Sequence, residues 1–220
     1  MPVTIDAALF VEEAVPVDDR TTGPLDVQSI AGFAPDHARS FLLVYDRNGR
    51  RATHQQFDGR GAVVHQWDYD AGGLLLRELA YEAASGAVRS TLDVLYDGDL
   101  WTEKRMHYAP HVLSYRIVAE RDGEGRLARA VHLDPAGAPM RSDRYVFEGR
   151  VLNRVDMGPM GQRLYDYDAR GNLGRKSIEM PGASAHGEVY EFKYDERGLL
   201  TAMHHLHGRS TTFRHEFFNR

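Results

Sequence analysis

Aromatic and polar residues alternate along much of the chain in runs of about eight residues. In the cleanest run Tyr165 and Tyr167 alternate with Asp166 and Asp168, so both rings fall on one face of an extended strand. The run ends in Asp168-Ala169-Arg170-Gly171. In such a tetrad the Asp carboxylate accepts from backbone N–H groups two or three residues on, and the Gly rejoins a returning strand through a bulge. The pattern predicts a β-hairpin.

The Asp-x-x-Gly tetrad occurs seven times, where chance would give about two, so it marks a repeat. The first three copies begin 12 residues apart, which fits a four-residue turn and a strand of about eight residues. Aromatic pairs recur before several turns and are expected to form the core. The predicted turn-forming residues are Asp46, Gly49, Asp58, Gly61, Asp70, Gly73, Asp122, Gly125, Asp134, Gly137, Asp168, Gly171, Asp195 and Gly198.

The repeat predicts an all-β fold with about fifteen strands, from 41–45 to 211–218. We expect one long antiparallel meander that forms a curved or rolled sheet, because an open twisted sheet of that size curls. Residues 1–40 lack the repeat and are predicted to form a small N-terminal cap, with a short helix in the range 26–37. Residues 41–220 are predicted to form the repeat domain.

Three stretches resemble one known family of repeats: Tyr45-Asp46-Arg47-Asn48-Gly49-Arg50, Tyr167-Asp168-Ala169-Arg170-Gly171-Asn172-Leu173 and Tyr194-Asp195-Glu196-Arg197-Gly198-Leu199-Leu200. They are similar to the YD repeats, also called RHS repeats, of bacterial polymorphic toxins, over residues 41–218. Members of that family wind a hollow β-shell around a toxic cargo, and this chain is too short to enclose one. The resemblance therefore implies a short, stand-alone set of β-hairpin repeats.

Composition narrows the class of protein further. The chain has no cysteine, so neither disulfides nor thiolate chemistry can contribute. A net charge of −5 and a pI near 6.1 give no broad basic field for nucleic acid or anionic lipid. The N-terminus lacks the basic and apolar regions of a signal peptide. We therefore expect a cytoplasmic protein with a protein partner, no nucleic acid, no membrane and no cofactor; its oligomeric state stays open.

Catalytic chemistry is weakly represented in the sequence. A tight turn at Gly208-Arg209 predicts that His204 shares a face with Phe213 and lies diagonal to His215, while His205 points the other way. Two imidazoles are one ligand short of a catalytic zinc site, so no metal site is predicted. Ser184 lacks the context of a nucleophile elbow. A hydrolase that uses His204/His215 or Ser184 is the least favoured hypothesis for the function.

With no catalytic constellation, the sequence favours a protein that binds and does not catalyse. Its resemblance to toxin-associated repeats implies an immunity or accessory protein that binds and neutralises a polymorphic toxin. An alternative function is carbohydrate or cell-surface binding through exposed aromatic side chains. The residues proposed for that stacking role are Trp67, Trp101 and Tyr190.

Overall fold

The computed structural model describes residues 27–33, 39–108, 111–182, 188–206 and 210–217. These residues form sixteen β-strands and one short 3-10 turn at Gly158–Met160. The strands are β1 (Val27–Phe33), β2 (Arg39–Tyr45), β3 (Arg51–Phe57), β4 (Val63–Tyr69), β5 (Leu75–Tyr81), β6 (Val88–Asp97), β7 (Leu100–Tyr108), β8 (Val112–Arg121), β9 (Leu127–Leu133), β10 (Pro139–Glu148), β11 (Val151–Asp156), β12 (Gln162–Tyr167), β13 (Leu173–Glu179), β14 (Val189–Tyr194), β15 (Leu200–His205) and β16 (Ser210–Phe217).

Every strand pairs antiparallel with the next one along the chain, which confirms the predicted meander. The first strand, β1, pairs on one side with β2 and on the other with β16, so the sheet closes into a barrel. Closure satisfies the backbone groups that an edge strand would leave unpaired. In the described part of the chain, no helix has the length and apolarity needed to cross a membrane.

The N-terminal segment departs from the sequence expectation. A short helix was expected within 26–37, and this is wrong, because Val27–Phe33 is a strand. Its backbone completes the ladder between β2 and β16, and that pairing overrides weak local helix propensity. Residues 1–26 lie outside the described residues, so a cap formed by 1–40 stays a prediction.

The seven Asp-x-x-Gly tetrads form the predicted turns, as the turn at Asp168 illustrates. The Gly171 N–H donates to the Asp168 carbonyl oxygen at 2.9 Å, and Gly171 adopts a φ of +83°. The Asp168 carboxylate accepts from the N–H groups of Arg170 (2.8 Å) and Asn172 (2.9 Å), two and four residues on. Burial acts to raise the pKa of Asp168, but hydrogen bonds from Asn172 and Arg170 hold it below its usual value.

The hairpin turns alternate between two ends of the barrel. At one end, which we call the tyrosine end, seven hairpins each set a large residue before the turn opposite a large residue after it. These pairs are Tyr45/Arg51, Tyr69/Leu75, Tyr96/Trp101, Arg121/Leu127, Phe147/Leu152, Tyr167/Leu173 and Tyr194/Leu200. The other end, which we call the far end, carries the turns that begin at Asp58, Glu82, Asp134 and Met157.

The core lies on one face of the closed sheet. A single buried cluster runs from Leu43 on β2 through Tyr165 on β12 to Phe213 on β16. Because this face is the buried one, it is the inner face of the barrel, whereas exposed ion pairs such as Arg129–Glu120 occupy the outer face. The predicted aromatic core is confirmed.

Hydrogen bonds between successive hairpins reinforce the tyrosine end. The Tyr96 hydroxyl donates to the Leu75 carbonyl oxygen at 2.9 Å, and the Tyr194 hydroxyl donates to that of Leu173 at 2.9 Å. In each case the residue before an acidic turn residue reaches the backbone of the preceding hairpin at the same end. The tyrosines therefore supply both apolar contact and a hydrogen bond.

Candidate functional site

Polar side chains gather on the inner face towards the far end, on three neighbouring strands. The register pairs His132 of β9 with Ile117 of β8 and Arg141 of β10, so their side chains share a face with Tyr115 and Asp143. A pocket with a volume of about 720 Å³ lies against this group. Its walls are Tyr115, His132, Met140, Arg141, Ser142, Met157, Gly158, Pro159 and Met160.

His132 and Asp143 form a hydrogen-bonded pair. The His132 Nε2 lies 2.9 Å from the Asp143 Oδ2, and Asp143 is only 4% exposed. An ionised carboxylate only accepts hydrogen bonds, so we assign the proton to Nε2, which donates to Asp143. The Nδ1 atom of His132 makes no hydrogen bond with another residue that the structure describes. Asp143 thereby fixes the imidazole with Nδ1 available to an incoming group.

Arg141 has a charged neighbour but no strong hydrogen-bond acceptor among the described residues. Its Nη1 contacts the Met160 sulfur at 2.7 Å, and a thioether is a weak acceptor. Its Nη2 lies 3.3 Å from the His132 Nε2, which already donates to Asp143, and 3.6 Å from the Asp143 Oδ2. The other carboxylate oxygen, Oδ1 of Asp143, is buried without a partner in the same part of the chain.

Tyr115 forms another wall of this pocket. Burial, reinforced by the nearby Tyr108, raises the pKa of Tyr115 above its usual value, so its phenol stays protonated at neutral pH. Its ring centroid lies 6.3 Å from that of His132. With methionine and proline side chains around it, the pocket combines apolar walls with an imidazole, a guanidinium and a phenol. Such a combination is typical of small-molecule sites.

Exposed apolar side chains surround the same end of the barrel. Seven of the ten exposed large hydrophobic residues in the described ranges lie at the far end, and we call them the apolar rim. They are Val88 (36% exposed), Tyr108 (49%), Val112 (64%), Met140 (65%), Met160 (52%), Met180 (53%) and Leu206 (51%). Tyr108 and Val112 face each other across the β7–β8 pair. Clustering of this kind is a feature of interaction surfaces, whereas scattered exposed apolar residues are ordinary.

The three aromatics proposed for ligand stacking lie in different surroundings. Trp101 is 7% exposed in the core, with the Lys104 ammonium 4.7 Å from its ring centroid, so it offers no open ring face. Trp67 is half-buried and stacks on His54, with ring centroids 3.8 Å apart. Tyr190 is half-buried, and its hydroxyl donates to Glu188 at 3.0 Å. For Trp67 and Tyr190, stacking on a ligand stays a prediction.

The predicted pairing of His204 with His215 is wrong. The register sets Met203 opposite Thr211, which places His205 on the same face as Phe213 and His215. His204 points to the other face and lies 2.8 Å from the Ser210 hydroxyl. A change of one residue in register reverses every side chain of a strand. Within the described ranges no group of three potential metal ligands occurs, and Ser184 lies outside them.

No pattern in the sequence predicted the group that contains Tyr115, His132, Arg141 and Asp143. His132 and Arg141 flank the predicted turn at 134–137, so counting the register through that hairpin sets them opposite each other. Nothing in the local pattern shows that Asp143 is buried or that a pocket opens beside it. Those two facts depend on strands β8 and β11 and on the turn at Gly158–Met160.

Comparison with known proteins shows similarity of fold. No protein-family model and no curated protein matches this sequence. A porin-like protein from Bacteroides uniformis ATCC 8492 has a TM-score of 0.50 at 12% identity, covering 89% of this chain and 99% of that chain. The toxin-complex structures TcdB2-TccC3-Cdc42 and TcdB2-TccC3 have TM-scores of 0.30 at 11% and 12% identity, covering 84% of this chain. This chain spans only 14% of either toxin-complex chain.

Proposed function

We propose that this protein is a non-catalytic β-repeat protein that binds a protein partner through the apolar rim. The observation that carries the proposal is the concentration of exposed apolar side chains at one end of the barrel. Burying apolar surface gives about 25 cal/mol per Å², so a partner that covers the rim gains a favourable free energy of association.

The outer face of the barrel supports this choice of surface by contrast. On β5, β6 and β7 its charged side chains pair with one another, as in the Arg77–Asp93 contact at 2.7 Å and the Arg105–Glu103 contact at 2.9 Å. Exposed ion pairs contribute little and would have to be desolvated by a partner. The seven side chains of the apolar rim carry no charge that a partner would have to desolvate.

A more specific form of the proposal is an immunity or accessory protein that acts in the cytoplasm on a polymorphic toxin. Its support is the similarity of three stretches of this sequence to YD repeats. An inhibitor of this class blocks its target by surface complementarity and needs no catalytic group of its own. The partner expected on these grounds is the toxic C-terminal domain encoded in a neighbouring reading frame.

Two rim substitutions and one control test the proposal. Val112→Asp and Met140→Asp each place a charge on the rim, while Leu76→Asp does the same at a 46% exposed position away from it. The purified protein is titrated against the toxic domain, and binding and residual toxin activity are both measured. We expect each rim variant to bind at least about 10-fold more weakly and Leu76→Asp to bind like the unmodified protein.

Two results would overturn the proposal. One is a toxin that stays fully active, and unbound, in the presence of excess protein, which removes the toxin-neutralising role. The other is a rim variant that binds as tightly as the Leu76→Asp control, which removes the apolar rim as the docking surface.

A further inference from the structure

We propose that the pocket at Tyr115, His132 and Arg141 binds a small organic carboxylate: an anionic head group on an apolar body. The pocket shares Met140 and Met160 with the apolar rim, but the binding of a small ligand in it does not depend on the docking of a protein there. Its volume of about 720 Å³ lies within the range of roughly 300–1,000 Å³ that is typical of small-molecule pockets.

The expectation of an anionic head group rests on the contacts that the Arg141 guanidinium makes and lacks. Its guanidinium points Nη1 at the Met160 sulfur and has no carboxylate at hydrogen-bond distance within the described residues. A guanidinium is a fork of donors that matches a carboxylate, so a ligand carboxylate is a far stronger acceptor than the thioether it displaces. Met160 is 52% exposed, and its unbranched side chain adapts readily, so a ligand can displace its sulfur from the guanidinium.

The neighbouring groups complement this choice. The His132 Nε2–H donates to Asp143, so Nδ1 is an acceptor, and His132 forms a polar wall that does not itself donate to the ligand carboxylate. The Tyr115 phenol is protonated at neutral pH, and burial raises its pKa further, so it adds a hydroxyl that can donate. Asp143 offsets part of the positive charge of Arg141, so the unliganded pocket does not hold an isolated cation.

The apolar body follows from the remaining walls. Met140, Met157, Pro159 and Met160 provide flexible apolar surface around the charged group. Unbranched methionine side chains adapt to ligands of different shape. Inorganic phosphate or acetate would leave these walls uncovered, whereas an aryl or alkyl carboxylate covers them while its head group reaches Arg141.

The test uses 4-phenylbutyrate and its uncharged counterpart 4-phenylbutyramide, titrated into the full chain by calorimetry. We expect the acid to bind saturably and the amide to bind at least about 10-fold more weakly. Arg141→Gln should weaken binding of the acid about 10-fold and leave binding of the amide unchanged. The matched control is Arg129→Gln on the outer face of β9, where Arg129 pairs with Glu120 at 3.1 Å; it should leave both ligands unaffected.

Circular dichroism verifies that each variant is folded. If Arg141→Gln is not folded, Arg141→Lys takes its place. Arg141→Lys should retain the preference for the acid over the amide, because the positive charge remains. The proposal is overturned by equal binding of acid and amide, by equal losses in Arg141→Gln and Arg129→Gln, by loss of the preference in Arg141→Lys, or by failure of the acid to saturate. Since no protein partner is present, each result stands apart from docking on the rim.

Discussion

Two tyrosines at equivalent positions of the repeat should respond in opposite ways to loss of the hydroxyl group. The Tyr194 hydroxyl donates to the buried Leu173 carbonyl oxygen at 2.9 Å. The Tyr167 hydroxyl is buried without a hydrogen-bond partner among the described residues, and burial raises its pKa above the usual value. Phenylalanine keeps the ring in both cases. The pair of substitutions therefore isolates the effect of the hydroxyl group.

The magnitudes follow from the two environments. Tyr194→Phe removes one hydrogen bond and leaves the carbonyl of a residue with 0% exposure without that donor. The expected cost is about 1–2 kcal/mol in the free energy of unfolding. Tyr167→Phe removes a hydroxyl that was desolvated without compensation. It should be neutral or should stabilise the protein by up to about 1 kcal/mol.

Urea-induced unfolding followed by circular dichroism measures both effects, since the unfolding midpoint shifts while the slope stays constant. In thermal unfolding, a protein of this length shifts its Tm by about 2–4 °C for each kcal/mol. We expect the midpoint of Tyr194→Phe to fall and that of Tyr167→Phe to stay or rise. Equal destabilisation by the two substitutions would falsify the assignment of a structural hydrogen bond to Tyr194 alone of this pair.

Three further predictions concern the core and the turns. Leu200→Ala, at 1% exposure, should lower the free energy of unfolding by about 2–5 kcal/mol, whereas Leu206→Ala, at 51%, should change it by less than about 0.5 kcal/mol in the same urea assay. Gly73→Ala should destabilise the protein by about 1–2 kcal/mol, because the φ of Gly73 is +86° and the added Cβ would lie 3.1 Å from the Cβ of Arg50. Gly59→Ala, whose added Cβ would have no atom within 4 Å, is the control in thermal unfolding. Hydrogen bonds from backbone N–H groups of its own turn lower the pKa of Asp46. The contribution of Asp46 to stability is therefore complete above its unfolded-state pKa and is lost as the pH falls through its folded-state pKa. Asp46→Asn should flatten the acid side of a curve of unfolding free energy against pH.

The sequence by itself determined the turns and the strands between them. In the turn at Asp46, the carboxylate bonds to the N–H groups of Asn48 and Arg50, so every contact lies within five consecutive residues. Such local contacts are specified wherever the tetrad occurs, which is why the meander and its aromatic core could be predicted. The order of strands followed, because each hairpin joins neighbours in sequence.

Tertiary structure alone decided how the sheet closes and where the candidate site lies. Closure of the barrel pairs Val27 with Phe217, and β1 carries no turn pattern that indicates pairing with β16. The inner-face position of His205 instead of His204 depended on a single residue of register. The pocket draws on β8, β9, β10 and the turn at Gly158–Met160, whose residues come together only when the barrel curves. Burial and convergence arise from contacts between elements distant in sequence, and a local pattern of residues does not encode those distances.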